Sequence, residues 1–165
     1  VLRPPVLEQL GLKAGLEALI ADVQARTGLR CSLVFEQSHR RGARLPTLET
    51  AFYRIVQELL TNVIRHAHAT TVSILVQRNR REWRLTVTDD GVGFDVDALS
   101  PLGGFGLRGI RERAEILAGQ VEISSGVDAG TTVQVRIPVS STPDRSAEGR
   151  ASPGPASRRR KPVHE

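Results

Sequence analysis

The residues of this sequence that are best suited to chemistry stand beside two clusters of glycine. Asp89-Asp90-Gly91-Val92-Gly93 directly follows a strand-like run, and Gly91 and Gly93 allow the backbone to turn and to approach a ligand closely. A carboxylate at the strand end, Asp89, can accept a hydrogen bond from a base. Because Asp-Gly turns are common in proteins, this cluster alone is a weak signal of a ligand site.

The second cluster, Gly103-Gly104-Phe105-Gly106-Leu107, opens a predicted helix. Glycines that run into a helix N-terminus present free N–H groups and the positive end of the helix dipole to an anion, usually phosphate. The cluster is not a P-loop, because no Gly-Lys-Ser/Thr follows it, and no βαβ unit surrounds it as a dinucleotide fingerprint requires. A third piece, Gly130-Thr131-Thr132, is by itself typical of a hairpin turn.

A polar strip interrupts the apolar pattern of residues 47–67, which is predicted to be an amphipathic helix. Glu58 and Asn62 lie one turn apart, and Arg65 and His66 follow Asn62 by three and four residues. A carboxylate, an amide and two basic groups therefore share one side of the helix. A solvated helix face tolerates that mixture by chance, so the strip gains meaning only from the two glycine clusters that follow it.

The remaining periodicity predicts the elements that must position these groups. Pro46 and Thr47 supply a start for the central helix, with Thr47 as a possible cap. A first helix spans the apolar repeat from Leu7 to Val23 and ends at Thr27-Gly28. The other predicted elements are a helix at 107–117 and strands at 29–36, 70–77, 83–88, 121–125 and 132–139. The strands at 70–77 and 83–88 are predicted to form one antiparallel pair, and those at 121–125 and 132–139 another.

Composition limits the possible classes of protein. The 165 residues are enough for one domain with a substantial core, and no apolar run reaches the ~18 residues of a membrane span. The lone Cys31 cannot form an internal disulfide, which favours a reducing, cytoplasmic location. Residues 139–165 carry six basic and three acidic side chains, so the rest of the chain contributes only +2 of the +5 net charge. We expect a domain at 1–139 and a disordered basic tail at 140–165.

In this order and spacing, the pieces resemble the ATP-binding domain shared by DNA gyrase, mismatch-repair ATPases and sensor histidine kinases. The matching signature is Glu58-x-x-x-Asn62, Asp89-x-Gly91-x-Gly93, Gly104-x-Gly106-Leu107 and Gly130-Thr131, and the resemblance covers roughly residues 2–139. Residues 57–67 and 106–113 are similar to the nitrate-sensor type of two-component histidine kinase. Leu2-Arg3-Pro4 with Leu10-Gly11-Leu12 is similar to that family's segment between the dimerisation helices and the ATP-binding domain.

The resemblance implies ATP and Mg²⁺ as ligands and assigns roles to the polar strip. It implies that Asn62 coordinates the Mg²⁺ that bridges the phosphates. Glu58 is implied to lie near that metal and the reacting phosphate, in a polarising or water-organising catalytic role. Arg65 and His66 match positions that face the phosphates.

The resemblance also assigns the residues around the base. Asp89 is implied to accept the adenine amino proton, with Gly91 and Gly93 lining the base. The residues implied on the phosphate side and at the closing edge of the pocket are Gly104, Gly106, Leu107 and Thr131. Ten residues, 94–103, separate the two glycine clusters, so the lid over the site is expected to be short.

The family transfers phosphate to a histidine on a separate helical hairpin, typically one followed by an acidic residue. Here His39 precedes an arginine, His66 and His68 each precede an alanine, and His164, which does precede Glu165, lies in the predicted tail. We therefore expect the catalytic half of a larger kinase, not competent alone for autophosphorylation. Its expected partners are the histidine-bearing dimerisation helices of the parent kinase and a downstream response regulator. We expect contact with a membrane only through N-terminal segments of the parent kinase that are missing from this sequence.

The expected fold is an α/β two-layer sandwich, a mixed and mostly antiparallel sheet packed on about three helices, of the Bergerat ATP-binding type. A serine kinase that restrains a sigma factor is the alternative within the superfamily, although the Arg-Glu-Arg helix and the Leu-Gly-Leu entry argue against it. A basic nucleic-acid-binding domain that uses the arginine-rich tail is an alternative from another class. Direct nucleic-acid binding is not expected, and a degenerate domain that binds nucleotide only to signal stays open.

Overall fold

Five strands form one mixed sheet in the computed structural model, which describes residues 4–38, 44–95, 104 and 106–139. The elements in chain order are α1 (Pro5–Thr27), β1 (Arg30–Gln37), α2 (Pro46–Asn62), a π-helical turn (Val63–Ala67), β2 (Thr71–Arg78), β3 (Glu82–Asp89), α3 (Leu107–Ile116), β4 (Gln120–Ser125) and β5 (Thr131–Pro138). The spatial order is β1-β2-β3-β5-β4, with β1 and β2 parallel and the other three pairs antiparallel. The predicted α/β fold is confirmed.

The predicted basic tail at 140–165, the entry residues 1–3 and most of the predicted lid lie outside the described residues. The boundary of the predicted domain at residue 139 therefore stays a prediction. Among the helices of the described segments, none is long and apolar enough to cross a bilayer.

The core lies between the three helices and one face of the sheet. Alternate residues of the central strands β2, β3 and β5 are buried against the helices, as the period-2 pattern of their sequences predicts. Phe52 of α2 meets Trp83 of β3 edge-on, with ring centroids 5.6 Å apart. Because α2 lies on the middle of the sheet, its two ends reach opposite ends of the strands, and this geometry positions the functional residues.

The start of α2 corrects one prediction. The helix begins at Pro46, and the residue in the cap position is Leu45, whose carbonyl accepts a hydrogen bond from the Glu49 amide at 2.9 Å. Thr47 therefore lies inside the helix and does not cap it. Pro46 determines this start, because proline at the first helical position has the required backbone angle and has no N–H to satisfy.

The end of α2 also differs from the prediction of one continuous helix over 47–67. Regular α-helix ends at Asn62, and Val63–Ala67 form a π-helical turn that is followed by His68 in the left-handed conformation, with φ of 50°. π turns occur as single turns within α-helices, often at functional sites. Here the wider turn changes which side chains at the end of the helix point in the same direction.

The first helix is broken at Gly11, where φ is 86° and ψ is −177°. The guanidinium of Arg44 donates hydrogen bonds to the carbonyls of Leu7 and Glu8, each at 2.8 Å, and so satisfies groups that the break leaves without helical partners. The same guanidinium pairs at 2.7 Å with the carboxylate of Glu49, which is 2% exposed. One ion pair therefore ties the entry segment of the domain to the start of α2.

We predict that Arg44→Ala lowers the melting temperature by about 3–8 °C, because it leaves a buried carboxylate without its guanidinium partner. Circular dichroism during heating measures this change. The matched control is Arg26→Ala, which removes a solvent-exposed ion pair with Asp22 on the same helix and should shift the melting temperature by less than about 2 °C. Equal shifts for the two variants would show that Arg44 does not tie the entry segment to the core.

Candidate functional site

The central helix, the two glycine clusters and the start of β5 meet around one cavity at the end of the sheet. Apolar side chains of leucine, valine, alanine and phenylalanine form most of its wall. The predicted site residues that line it are Asn62, His66, Asp89, Gly93, Leu107 and Thr131. Residues that are far apart in the sequence thus converge on a small apolar slot with a few polar groups, which is the usual composition of a small-molecule site.

Asp89 is the buried acceptor of this slot. Its side chain is at the end of β3 and the residue is 8% exposed. Its Oδ1 accepts a hydrogen bond from the Gly91 amide at 2.8 Å. Burial raises the pKa of the Asp89 carboxyl above its usual value, hydrogen bonds from the Gly91 and Thr131 backbone oppose the rise, and the charge of Asp90 adds to it. A carboxylate held in an apolar wall is a strong and selective hydrogen-bond acceptor.

Asp90, the next residue, has the opposite environment. Its carboxylate accepts hydrogen bonds from the Thr70 amide at 2.8 Å, the Thr70 hydroxyl at 2.7 Å and the Thr71 amide at 2.9 Å. Hydrogen bonds from Thr71 and Thr70 hold the pKa of Asp90 well below its usual range. Sequence analysis missed this residue. The register of the hairpin was the available signal, because pairing of Val72 with Asp89 places Asp90 opposite Thr71.

The glycines of the first cluster allow close contacts with the protein itself. A methyl group added at Gly91 would overlap the Ala67 carbonyl, and one added at Gly93, where φ is 62°, would overlap the carbonyl of Gly126. Between the two glycines, the Val92 amide donates to the Ala67 carbonyl at 2.8 Å. The cluster therefore lies between the end of the π turn and the turn that joins β4 to β5. Of the two glycines, only Gly93 also lines the cavity.

The polar strip divides at the π turn. Asn62 and His66 both line the cavity, whereas Arg65 lines a separate depression between α1 and α2, beside Asp22 and Tyr53. In a π turn the backbone bonds close at i→i+5, so residues three positions apart point away from each other. The implied phosphate-facing role of Arg65 therefore has no support from its position and stays a prediction.

Asn62 carries the clearest sign of a missing ligand. Its side-chain nitrogen is buried and has no hydrogen-bond partner in the part of the chain that the structure describes. Buried polar groups in native proteins are nearly always paired, so such an atom calls for an explanation, and an absent ligand is one. Because a carboxamide has an oxygen and a nitrogen of similar shape, its half-turn presents an oxygen that Mg²⁺ accepts as a ligand.

Glu58 lies one helical turn before Asn62, against the start of α3. Gly106, with φ of 73°, precedes the first residue of that helix, and a methyl group added there would overlap the Glu58 carboxylate. The Leu107 amide donates to the Gly104 carbonyl at 3.1 Å, which closes the turn before the helix. A carboxylate at a helix N-terminus is favoured by the helix dipole. Gly103 and Phe105 of this cluster lie outside the described residues.

The arrangement suits a planar ring with an exocyclic amino group that is joined to an anionic chain. The apolar walls can hold the ring, and Asp89 can accept from the amino group. Asn62 and the start of α3 can hold the anion. Acceptor, amide and helix N-terminus lie on three different elements, so the fold as a whole determines their separation.

Residues 47–141 match the family described as histidine kinase-, DNA gyrase B-, and HSP90-like ATPase. Among curated proteins, the chain is 38% identical over 141 residues to the sensor histidine kinase MctS of Rhizobium johnstonii, covering 84% of this chain and 30% of that protein. It is 36% identical over 146 residues to a sensor-like histidine kinase of Chloroflexus aurantiacus, covering 85% and 24%. The chain thus spans less than a third of the length of either relative.

Solved structures share the fold at lower sequence identity. The histidine kinase domain of the blue-light-activated histidine kinase EL346 from Erythrobacter litoralis superposes with a TM-score of 0.57 at 22% identity, covering 74% of this chain and 58% of that one. The histidine kinase AdeS of Acinetobacter baumannii gives a TM-score of 0.59 at 18% identity, covering 81% and 72%. At these identities the likeness concerns the fold alone.

Gly106 and Gly28 provide a matched test of the contact between Glu58 and α3. Both have a left-handed conformation, with φ of 73° and 72°, but at Gly28 no atom of the described residues lies within 4 Å of an added methyl group. We expect Gly28→Ala to cost about 1 kcal/mol of unfolding free energy. Gly106→Ala should cost roughly a further 1–3 kcal/mol from overpacking, as measured by denaturant unfolding.

The same experiment in a Glu58→Ala background isolates the contact. Truncation of Glu58 removes the carboxylate that the new methyl group would meet, so the extra cost of Gly106→Ala should disappear while the cost of Gly28→Ala stays the same. An extra cost that persists without the carboxylate would mean that Glu58 does not pack against the start of α3.

Proposed function

Since this chain belongs to the histidine kinase-, DNA gyrase B- and HSP90-like ATPase family, we propose that it binds Mg²⁺-ATP as the catalytic domain of a sensor histidine kinase. The curated relatives are both named as histidine kinases, which favours a histidine kinase over the serine kinase of the same superfamily. The nitrate-sensor subfamily stays a prediction, because neither relative's name includes it.

The observation that carries the proposal is the buried carboxylate of Asp89 in a mainly apolar slot. Adenine presents an amino group at the edge where guanine presents a carbonyl. A buried carboxylate that faces a carbonyl is unpaired and repelled, at a cost of roughly 1–3 kcal/mol. The slot therefore selects adenine, and Thr131, whose backbone also bonds to Asp89, lies at its edge.

The phosphates would extend from this slot towards Asn62 and the start of α3. Asn62 would supply one amide oxygen to Mg²⁺, and its buried side-chain nitrogen, which has no partner among the described residues, fits that role once the amide is turned over. When bound, Mg²⁺ would neutralise phosphate charge during transfer. His66 lines the same cavity. Glu58, packed against Gly106, would polarise the acceptor or organise water beside the reacting phosphate.

Transfer needs an acceptor, and we propose a histidine on dimerisation helices that another part of the parent kinase supplies. The chain spans 30% and 24% of its two relatives, which leaves room in proteins of that size for such helices and for sensory segments. A response regulator would then receive the phosphoryl group. In this scheme the chain holds and orients ATP, and its partner supplies the nucleophile.

Asp89→Asn tests base recognition. The variant presents an amide N–H₂ group towards the adenine amino group, so ATP affinity should fall about tenfold or more. The same amide can donate to the guanine carbonyl. We expect the parent chain to prefer ATP over GTP by about tenfold or more, and the variant should show a smaller preference. Isothermal titration calorimetry with both nucleotides measures the two affinities. Equal binding of ATP and GTP by the parent chain would remove Asp89 from base recognition.

The same variant has an effect on stability that runs in the opposite direction. Because burial raises the pKa of Asp89 in the folded state, its ionised form is disfavoured by folding. Asp89→Asn should therefore match or exceed the parent in unfolding free energy at pH 7. Its advantage should shrink as the pH falls through the raised pKa towards the usual value of 3.8. Comparing the two chains at each pH cancels the contribution of Asp90, which has the opposite sign.

Asn62→Ala tests the metal site. Mg²⁺-dependent ATP affinity should fall about tenfold or more, whereas ATP binding in EDTA should change little. Unfolding free energy should stay the same or rise, because the variant removes a buried side-chain nitrogen that has no partner in the described part of the chain. The control is Asn79→Ala in the turn between β2 and β3. If Asn62→Ala binds Mg²⁺-ATP like the parent, the central helix does not hold the metal.

A further inference from the structure

We propose that Asp90 is a positioning residue for nucleotide binding: it holds the end of β3, which carries Asp89, at a fixed distance from Asn62. Asp90 lies outside the cavity and does not contact the proposed base. It acts through the backbone that connects the central helix to β2. The inference rests on the proposed function, and it concerns how the fold keeps the base-recognising carboxylate of Asp89 and the metal-binding amide of Asn62 at a constant separation.

The first observation is the number of bonds that join two short segments. The carboxylate of Asp90 accepts three hydrogen bonds, from the amide and hydroxyl of Thr70 and from the amide of Thr71. Its own amide donates to the Thr71 carbonyl at 3.3 Å. Two residues farther on, Val92 donates to Ala67. Five hydrogen bonds therefore connect a three-residue stretch, 90–92, to the five residues 67–71.

The second observation is what lies on each side of this junction. Asp89 comes directly before the clamped residue. On the other segment, His66 comes directly before Ala67, and Asn62 ends the α-helix just before the π turn. Between the helix and β2, His68 has a left-handed conformation that is uncommon for a residue with a side chain. A connection with that geometry needs outside support to keep one conformation.

The third observation separates positioning from simple support of a strand end. Asn79 makes an equivalent clamp at the far end of the same two strands, where its Oδ1 accepts from the amides of Arg81 and Glu82, each at 2.8 Å. Both clamps hold the β2–β3 pair, but only Asp90 lies beside the cavity. If Asp90 were only a strand-end support, loss of either clamp would affect nucleotide binding to the same extent.

The geometry also predicts which substitution preserves the clamp. A single oxygen, Oδ1, accepts from both amides, and Oδ2 accepts from the Thr70 hydroxyl. An asparagine at position 90 keeps the first oxygen, and its N–H₂ group can donate to the Thr70 hydroxyl, which is also an acceptor. Asp90→Asn should therefore retain the clamp without its charge, and Asp90→Ala should lose it.

The experiment compares the parent chain with Asp90→Ala, Asp90→Asn and Asn79→Ala, at a temperature at which circular dichroism shows all four folded. Calorimetry gives the affinities for ATP and ADP, and ¹H–¹⁵N spectra report the Thr70, Thr71 and Gly91 amides. We expect Asp90→Ala to weaken ATP and ADP by the same factor, about five- to tenfold. Asp90→Asn and Asn79→Ala should stay within about twofold of the parent, and the three amide signals should shift farthest in Asp90→Ala.

Each contrary result has a distinct meaning. If the parent chain binds no ATP or ADP, the proposed function fails and this inference fails with it. If the parent binds but Asp90→Ala binds equally well, or Asn79→Ala weakens binding as much, only the positioning role is overturned. The positioning role would also be overturned if Asp90→Asn gave Thr70 and Thr71 signals like those of the parent but bound nucleotide as weakly as Asp90→Ala.

A milder variant covers the case in which Asp90→Ala does not fold. Thr70→Val keeps the shape of the side chain and removes only the hydroxyl bond to Asp90, so it should weaken both nucleotides by about two- to threefold. The positioning role of Asp90 would be overturned if Thr70→Val bound ATP and ADP as tightly as the parent while Asp90→Asn did not bind them.

Discussion

Of the five hydrogen bonds between residues 90–92 and 67–71, the one from the Val92 amide to the Ala67 carbonyl reaches the end of the helix, and the geometry of the site depends on it. The carbonyl is available because the π turn ends the helix at Ala67. The amide can reach it because Gly91 has no side chain to obstruct the approach. A change in either segment would separate the carboxylate at the end of β3 from the amide on the helix. The fold thus turns a helix end and a strand end into one binding surface.

Two adjacent aspartates show how the backbone can give the same side chain two roles. Asp89 points into an apolar slot, and burial raises its pKa; Asp90 points at two threonines, and their hydrogen bonds lower its pKa. Consecutive residues of a strand point to opposite faces, so the end of β3 places one carboxylate in the slot and the other on the neighbouring connection. Environments that move two pKa values apart are typical of sites that divide labour between like groups.

The sequence was sufficient for the parts of the fold and site that local patterns determine. Alternation predicted the strands, and the motifs predicted Asn62, His66, Asp89 and Gly93 as site residues, all of which line one cavity. It was not sufficient where tertiary contacts decide. The π turn has residues that suit an ordinary α-helix, so the prediction kept Arg65 on the same strip. Asp90 was missed because its partners are set by the register of the hairpin and not by its neighbours in the chain.

Stabilising contacts and site residues lie at opposite ends of the sheet. At the far end, the Arg78 guanidinium lies 4.8 Å from the Phe35 ring centroid and 4.6 Å from that of Trp83, near the buried carboxylate of Glu49 and its ion pair with Arg44. At the site end are a carboxylate with a raised pKa and the Asn62 side-chain nitrogen, which has no partner in the described part of the chain. Each of these two features costs folding free energy that ligand binding can offset. Since α2 spans both ends, packing at its start can offset the cost of burying the Asn62 nitrogen at its finish. The central helix is therefore the element through which the stable half of the domain maintains a site prepared for its ligand.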